Sequence, residues 1–343
     1  MAAIDRLAIG TPLPPLDKGP LTSSRIVRWC AAQENWDRIH YDLDYARNVA
    51  KLPATVINGA LKQHLLIQFL TEALDGAGWI WRLEYRFTGM DLVGQTLAVG
   101  GEVRDIEHAG DRDFVHVDLH IRNAEQDRIT TNGTAVVVLR ADGSSPLDAL
   151  DLYREGATLP PPEALADPEV PAVVRERVGT EIDRVTSYSP VELARLRLFA
   201  EAIMNVRPIH YDPAAGKRGP YGTVVALPLF PIHALSQVPG SRELSTDPTA
   251  FGREGASEVG RNIAQMFNLP AQGLLNGSNK VQVHSLLRLG ETVQARSRLA
   301  AARYRKGKRG GAMLIFETAN DYETATGRPL LTEHQSIVQR QLE

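Results

Sequence analysis

The chain has 343 residues and a single cysteine, Cys30, so it cannot form an internal disulfide. A reducing cytoplasm is therefore the expected compartment. The sequence lacks any apolar run approaching the roughly 18 residues that a membrane helix needs. Its first residues, MAAIDRLAIGTPLPPL, also lack the basic and long apolar regions of a signal peptide. We expect no association with a membrane.

Excess positive charge is absent too, because the formal net charge is −3. That value gives no reason to expect a nucleic acid as partner. The sequence also lacks a Walker-type loop, a dinucleotide-binding loop in its strand–turn–helix context, and a Gly-x-Ser-x-Gly nucleophile elbow. No His, Cys or Asp spacing suggests a metal site. We therefore expect no metal and no redox or nucleotide cofactor.

The most informative feature that is present is an octet that occurs twice. Residues 35–42 read NWDRIHYD and residues 205–212 read NVRPIHYD, so both have the form Asn-x-x-x-Ile-His-Tyr-Asp. An internal repeat of this kind predicts two similar structural units.

The octets lie within a longer repeat. Each follows an amphipathic segment that predicts a short helix, beginning near Ser23 in the first half and near Ser189-Pro190 in the second. After the first octet, Leu52–Leu74 predicts a turn and a long, mostly apolar and therefore buried helix. Its counterpart in the second half is Gly219–Val238.

Segments with partial alternation of apolar and polar residues follow in each half and predict antiparallel strands. They are residues 81–90, 95–107, 113–124 and 128–140, and then 280–289, 291–304, 312–323 and 330–341. The polar, Gly-rich segment Pro239–Gly260 has no equivalent in the first half and predicts a loop.

One long apolar helix followed by several strands indicates an α+β unit in which a sheet wraps its own helix. Two fused units can pair their sheets edge to edge, which removes exposed sheet edges. We predict a first unit over residues 1–145, a Pro-rich linker over residues 146–174 and a second unit over residues 175–343.

The pattern of a helix, the octet, a turn and a long apolar helix resembles the MaoC-like (R)-specific enoyl-CoA hydratases and dehydratases. The first half resembles the type 2 3-hydroxyacyl-thioester dehydratases and mesaconyl-CoA hydratases through NWDRIHYD. The second half resembles the dehydratase region related to fatty-acid synthase, through HYDPAAGKRGPYGTVVALPLF and GGAMLIFETANDYETATGRPLL. The resemblance implies a double hotdog, in which each antiparallel sheet wraps a long central helix.

The resemblance also implies hydration of a 2-enoyl thioester, or the reverse dehydration, in fatty acid metabolism. Histidine suits the proton transfers because its pKa lies near neutrality. His40 is the expected acid/base. An enolate-like oxygen is best held by backbone N–H groups at a helix N-terminus. Gly59, in the turn that opens the long helix, is the expected donor because it permits close approach.

Asn35 stands where most MaoC-like hydratases have a catalytic Asp. An amide cannot exchange a proton at neutral pH, so Asn35 is expected to position the water while His40 carries the proton transfers. Asp37, a carboxylate close to His40 in the sequence, is the rival acid.

His210 and Asn205 are the second-half candidates, but the segment corresponding to VINGAL is VVALPL, in which Pro228 has no N–H. We therefore expect the first half to do the chemistry and the second half to enclose the acyl chain.

The cationic segment Arg303–Gly311, with Arg305, Lys306 and Lys308, could bind the phosphates of coenzyme A or form a solvated hairpin tip. The expected partner is an acyl-CoA thioester, and hotdog relatives are often homodimers. Two alternatives remain: a hotdog thioesterase, for which Glu72 is the available carboxylate, and a non-catalytic acyl-CoA-binding partner subunit.

Overall fold

The structure is a computed structural model that describes residues 7–142, 144–235, 267, 271–306 and 311–341. The first half contains, in chain order, β1 (Leu16–Lys18), α1 (Ser23–Gln33), α2 (Leu43–Asn48), α3 (Gly59–Ala73), β2 (Trp79–Phe87), β3 (Leu97–Ala109), β4 (Arg112–Asn123) and β5 (Arg128–Arg140). A 3₁₀ turn, Arg38–His40, precedes α2. The strand predictions for this half are confirmed to within a few residues at either end.

Short elements connect the halves: α4 (Leu150–Arg154), β6 (Leu165–Ala166) and α5 (Ala172–Arg175). The second half then contains β7 (Glu181–Thr186), α6 (Leu193–Ala202), α7 (Pro213–Arg218), β8 (Ala271–Val283), β9 (Val293–Lys306), β10 (Ala312–Thr324) and β11 (Pro329–Gln341). Its 3₁₀ turns are Pro208–His210 and Phe230–His233.

The predicted start of the second amphipathic helix was wrong. Helix α6 begins at Leu193, after Ser189-Pro190, because the residues before it are tied to neighbouring chain segments. The N–H of Val191 donates to the carbonyl of Glu291, and the hydroxyl of Ser187 donates to the carbonyl of Ser189. Extended backbone held in this way cannot start a helix.

The strands form one 11-stranded sheet in the order β1-β3-β4-β5-β2-β8-β11-β10-β9-β6, with β7 paired to β9. Both halves have the same topology, since the first long strand of each lies beside the fourth. Strands β2 and β8 pair antiparallel from Arg82↔Gln282 to Arg86↔Ser278 and so join the halves. The expected edge-to-edge pairing and the double-hotdog architecture are confirmed.

Helix α3 lies inside the curved first-half sheet, as predicted. Residues Ala60–Leu70 are all buried, including the polar Lys62, Gln63, His64 and Gln68. Leucine, alanine and glutamine favour a helix here, and burial of its whole circumference supplies the packing energy. The predicted counterpart in the second half is described only to Leu235, and residues 236–266, including the expected loop Pro239–Gly260, lie outside the described residues.

Aromatic contacts join the halves in the core. Trp29 of α1 meets Phe199 of α6 edge to face, with ring centroids 5.2 Å apart. His64 of α3 and His233 lie 5.2 Å apart, centroid to centroid. No helix built from the described residues combines the length and apolar character needed to cross a bilayer.

Candidate active site

The two octets fold in the same way, starting at their asparagines. The side-chain oxygen of Asn35 accepts the backbone N–H of Asp37 at 3.1 Å. That of Asn205 accepts the N–H of Arg207 at 2.8 Å. Both are local turns of the kind that Asn favours. Each octet asparagine therefore has a structural role in addition to any role at a reaction centre.

The aspartates and tyrosines of the octets also make local hydrogen bonds. Asp42 accepts the backbone N–H of Tyr45 and caps α2, and Asp212 caps α7. The hydroxyls of Tyr41 and Tyr211 each donate to the carbonyl five residues earlier, at 2.8 and 3.0 Å. Most of the repeated octet is thus explained by local folding, whereas the histidine reaches further.

Each octet histidine contacts a distant backbone carbonyl. Nδ1 of His40 lies 2.8 Å from the carbonyl oxygen of Val56, and Nδ1 of His210 lies 3.0 Å from that of Val225. A carbonyl can only accept, so Nδ1 carries the hydrogen in both rings. In the neutral imidazole, the lone pair is then on Nε2, and this nitrogen is the one that can take a proton from water.

The surroundings of His210 keep its ring neutral. Burial lowers the pKa of His210 to about 4; the contact with Val225 opposes this shift, and the charge of Arg207 adds to it. A neutral ring at physiological pH can accept a proton as a base, but it does not carry the second ring proton that an imidazolium acid would donate.

Gly59 lies next to the turn that holds His40. Val56, whose carbonyl contacts the ring, is three residues before Gly59, the first residue of α3. The N–H groups of a first helical turn have no intrahelical acceptor and lie at the positive end of the helix dipole. A Cβ added at Gly59 would lie 3.0 Å from the Phe87 ring, so this position is tightly packed.

The second half has Pro228 at the same place. The Val56–Leu92 bridge corresponds to Val225–Arg288, and Pro228 follows Val225 by three residues. Pro228 has no N–H to offer. The structure therefore supports the alignment of VINGAL in the first half with VVALPL in the second.

Asp37 has a local bond as well. Its carboxylate accepts the backbone N–H of Ile39 at 3.2 Å and caps the 3₁₀ turn that contains His40. Its rival role as the acid, like the roles of Asn35, His40 and Gly59, stays a prediction.

A cavity of about 330 Å³ lies beside the second octet. Its lining includes Asn205, Arg207 and His210 of the second half and His64 and Gln68 of α3. Arg207, His64 and Gln68 are not among the site residues that the sequence predicts. Arg207 occupies the octet position that Asp37 has in the first half, so it is one of the positions at which the octets differ. Nothing in the sequence indicated that α3 would line the same cavity.

Two of the three cations predicted to bind coenzyme A, Arg305 and Lys306, are among the described residues. Arg305 forms an ion pair with Asp167 at 3.1 Å, Lys306 ends β9, and Lys308 lies outside the described residues. A role in phosphate binding stays a prediction.

Glu72, the carboxylate considered for a thioesterase, accepts a hydrogen bond from Gln68 at 2.7 Å and is exposed. It is not among the described residues that line the cavity. In the described part of the chain, no three His, Cys, Asp or Glu side chains come together as metal ligands would.

Two family models match the chain, one in each half. Residues 16–93 match hydroxyacyl-thioester dehydratase type 2, and residues 176–333 match the FAS1-like dehydratase domain region. Both matching models describe dehydratases, one in each half of the chain. The protein is a hydro-lyase, and the dehydratase resemblance stated for each half is confirmed.

Other known proteins are similar to this chain in sequence or in fold. A curated UPF0336 protein of Thermobifida fusca is 25% identical over 169 residues, which are 49% of this chain and 95% of that protein. A protein described as a MaoC domain dehydratase from Chloroflexus aurantiacus superposes with a TM-score of 0.62 at 12% identity, covering 99% of this chain and 97% of the other. Rv0216 of Mycobacterium tuberculosis, described as a double hotdog, gives 0.59 at 18% identity, covering 98% and 97%. These structural matches show the fold.

Proposed function

We propose that this protein catalyses the reversible hydration of a 2-enoyl thioester to a 3-hydroxyacyl thioester at the first octet. His40 acts as the acid/base, and the first turn of α3 holds the thioester oxygen. The observation that carries the proposal is the link between the two groups: the Val56 carbonyl that contacts His40 precedes Gly59, the start of α3, by three residues.

In the proposed reaction, Nε2 of His40 takes a proton from water as the water oxygen bonds to Cβ of the enoyl group. Negative charge moves to the thioester oxygen, where the N–H of Gly59 donates to it. The imidazolium then returns the proton to Cα, so the ring ends neutral. One histidine can do both transfers because an unperturbed imidazole titrates near neutrality. Asn35 positions the water.

The test compares His40→Ala with His210→Ala, since the two rings have matched anchoring contacts. Crotonyl-CoA and a longer enoyl-CoA are supplied, and loss of the conjugated thioester absorbance is followed. General acid–base catalysis contributes about 10²- to 10⁴-fold, so kcat of His40→Ala should fall by that factor. Release of free thiol by the unmodified protein would instead indicate a thioesterase, and no reaction on a broad panel would favour a partner subunit.

One observation favours the same reaction at the second octet. The neutral ring of His210 borders the described cavity of about 330 Å³. If kcat collapses in His210→Ala and survives in His40→Ala, the chemistry belongs to the second half. Pro228 argues against this alternative because it removes the backbone donor that the oxyanion needs.

A further inference from the structure

A side-chain amide from the second half lies beside Gly59, the first residue of α3. A Cβ placed on Gly59 would be 3.5 Å from Nδ2 of Asn276, a residue of β8. That Cβ position is two bonds from the Gly59 nitrogen, so the Asn276 amide and the Gly59 N–H border the same small space. A group that contacts a ligand must be accessible, and both residues are partly exposed.

A hydrogen bond sets the direction of the Asn276 amide. Nε2 of Gln335, on the neighbouring strand β11, donates to Oδ1 of Asn276 at 3.4 Å. Gln335 is only 5% exposed, so packing restricts its side chain. With Oδ1 engaged as an acceptor, Nδ2 faces Gly59, and it donates to no acceptor in the described part of the chain. The amide therefore presents N–H groups to the start of α3.

A β-bulge turns Asn276 toward the helix. The register of β8 against β11 shifts between Ser278 and Asn276, which makes Gly277 an extra residue. After the shift, Asn276 pairs with Ile337, whose side chain is buried in the core. Directly paired side chains lie on the same face of a sheet, so Asn276 is on the inner face. Bulges that re-aim a side chain in this way are common beside active sites.

The corresponding position at the second octet is apolar. Strand β2 has the same one-residue shift, with Trp81 as the extra residue, and Ile80 precedes it as Asn276 precedes the bulge of β8. Ile80 and Pro228 both line the cavity beside the second octet. Where the first site has an amide and a glycine N–H, the second therefore has an isoleucine and a proline. The two halves differ in both donors together.

We propose that Asn276 is a catalytic residue of the hydration reaction, in which Nδ2 donates a hydrogen bond to the thioester oxygen beside the N–H of Gly59. The amide N–H bond does not break, since His40 carries the proton transfers. Gln335 is a positioning residue that keeps the donor side of the amide toward α3. Fixed donors aimed at developing charge stabilise an enolate-like transition state. The inference rests on the proposed function and gives the second half a part in the chemistry of the first.

The kinetic test replaces Asn276 by Leu, which has a similar volume and no donor. Loss of one oxyanion donor predicts a decrease in kcat for enoyl-CoA hydration of about 10²- to 10³-fold. KM should change little, because the hydrogen bond strengthens in the transition state. Asn276→Asp keeps the acceptor for Gln335 but cannot donate when ionised, so it should lose as much and serves if Asn276→Leu does not fold. Asn132→Leu, at an exposed position of β5 that also precedes a glycine, is the matched control and should keep its kcat.

A spectroscopic test needs no turnover. The conjugated thioester para-dimethylaminocinnamoyl-CoA absorbs at longer wavelength when hydrogen-bond donors polarise its carbonyl. Its absorbance should therefore shift to the red on binding to the unmodified protein. Asn276→Leu and Gly59→Pro should each lose part of that shift, and Asn132→Leu should keep it.

Three results would overturn the role of Asn276. They are an unchanged kcat in both Asn276 variants, a rise in KM with kcat retained, and a red shift that Gly59→Pro abolishes but Asn276→Leu keeps. The last result would leave the proposed function intact, since α3 would still hold the oxygen. A probe that binds the unmodified protein without any shift would instead overturn the proposed oxyanion site at α3, so the two proposals can fail separately.

Discussion

Gly59 and Pro228 occupy the same position in the two halves of the protein. Each follows by three residues the valine whose carbonyl contacts an octet histidine, Val56 in one half and Val225 in the other. The halves therefore share the imidazole and its anchor but differ in whether the next turn can donate a backbone N–H. This difference is the physical basis for assigning the chemistry to the first half.

Gly59→Pro should inactivate the protein without unfolding it. Proline is well tolerated as the first residue of a helix, and Asn58, at φ −61° and ψ 133°, has the extended backbone that must precede a proline. Loss of one oxyanion donor predicts a decrease in kcat of about 10²- to 10³-fold. Enoyl-CoA hydration and urea unfolding should be measured together.

Gly59→Ala is the control for this change. It places a Cβ against the same Phe87 ring, 3.0 Å away, but keeps the N–H. We expect Gly59→Ala to retain most of the activity that Gly59→Pro loses. Equal activity losses would mean that crowding of Phe87, and not the missing donor, causes the defect.

Breaking the Lys62–Asp91 pair should destabilise the first half. The ammonium and carboxylate lie 2.8 Å apart with side chains 4% and 0% exposed, and Asp91 also accepts from Asn123 and Thr130. Burial lowers the pKa of Lys62, and Asp91 opposes that shift. Lys62→Met leaves a buried carboxylate without its cation, so the free energy of unfolding should fall by about 3–5 kcal/mol in urea unfolding.

The double variant Lys62→Met/Asp91→Asn separates charge from packing. It removes both charges, so it should be more stable than Lys62→Met alone. If the double variant is less stable than the single one, the unpaired charge is not the source of the loss.

Stability should decrease as the pH falls from about 6.5 to about 4. Burial lowers the pKa values of His210, His284 and His334 to about 4 from an ordinary value of 6.5. In this window the unfolded chain binds protons that the folded chain does not, so acid favours unfolding. Each such group adds a slope of at most about 1.4 kcal/mol per pH unit.

His284→Gln isolates one of these contributions. In urea unfolding at several pH values, this variant should have a shallower dependence on pH than the unmodified protein. His108→Gln is the control, because the side chain of His108 is 77% exposed. If the His284→Gln curve runs parallel to that of the unmodified protein, His284 is not buried in its neutral form.

Tyr221→Phe should loosen the segment between the halves. The Tyr221 hydroxyl donates to the Leu147 carbonyl at 3.1 Å, and both residues line the cavity. Burial raises the pKa of Tyr221 to about 12, so the hydroxyl stays a donor. We expect a loss of about 1 kcal/mol in urea unfolding. Tyr188→Phe, on a side chain that is 65% exposed, should lose less.

Most of the fold was predictable because its determinants are local. Period-two alternation located β2 to β5 and β9 to β11, and an apolar run without alternation located α3. The start of α6 was not predictable, since hydrogen bonds to Glu291 and within the preceding loop displace it. The Lys62–Asp91 pair was also missed, because a lysine in an apolar helix gives no sign of the carboxylate it will meet 29 residues later.

The sequence by itself determined that the protein consists of two similar α+β units, each with an octet histidine, and that Pro228 deprives the second turn of a donor. These properties follow from residue type and from spacing along the chain. Only the tertiary structure decided that α3 of the first half lines a cavity with His210 of the second. Contacts between segments so far apart depend on how the joined sheet brings the two helical layers together, and no local pattern encodes that.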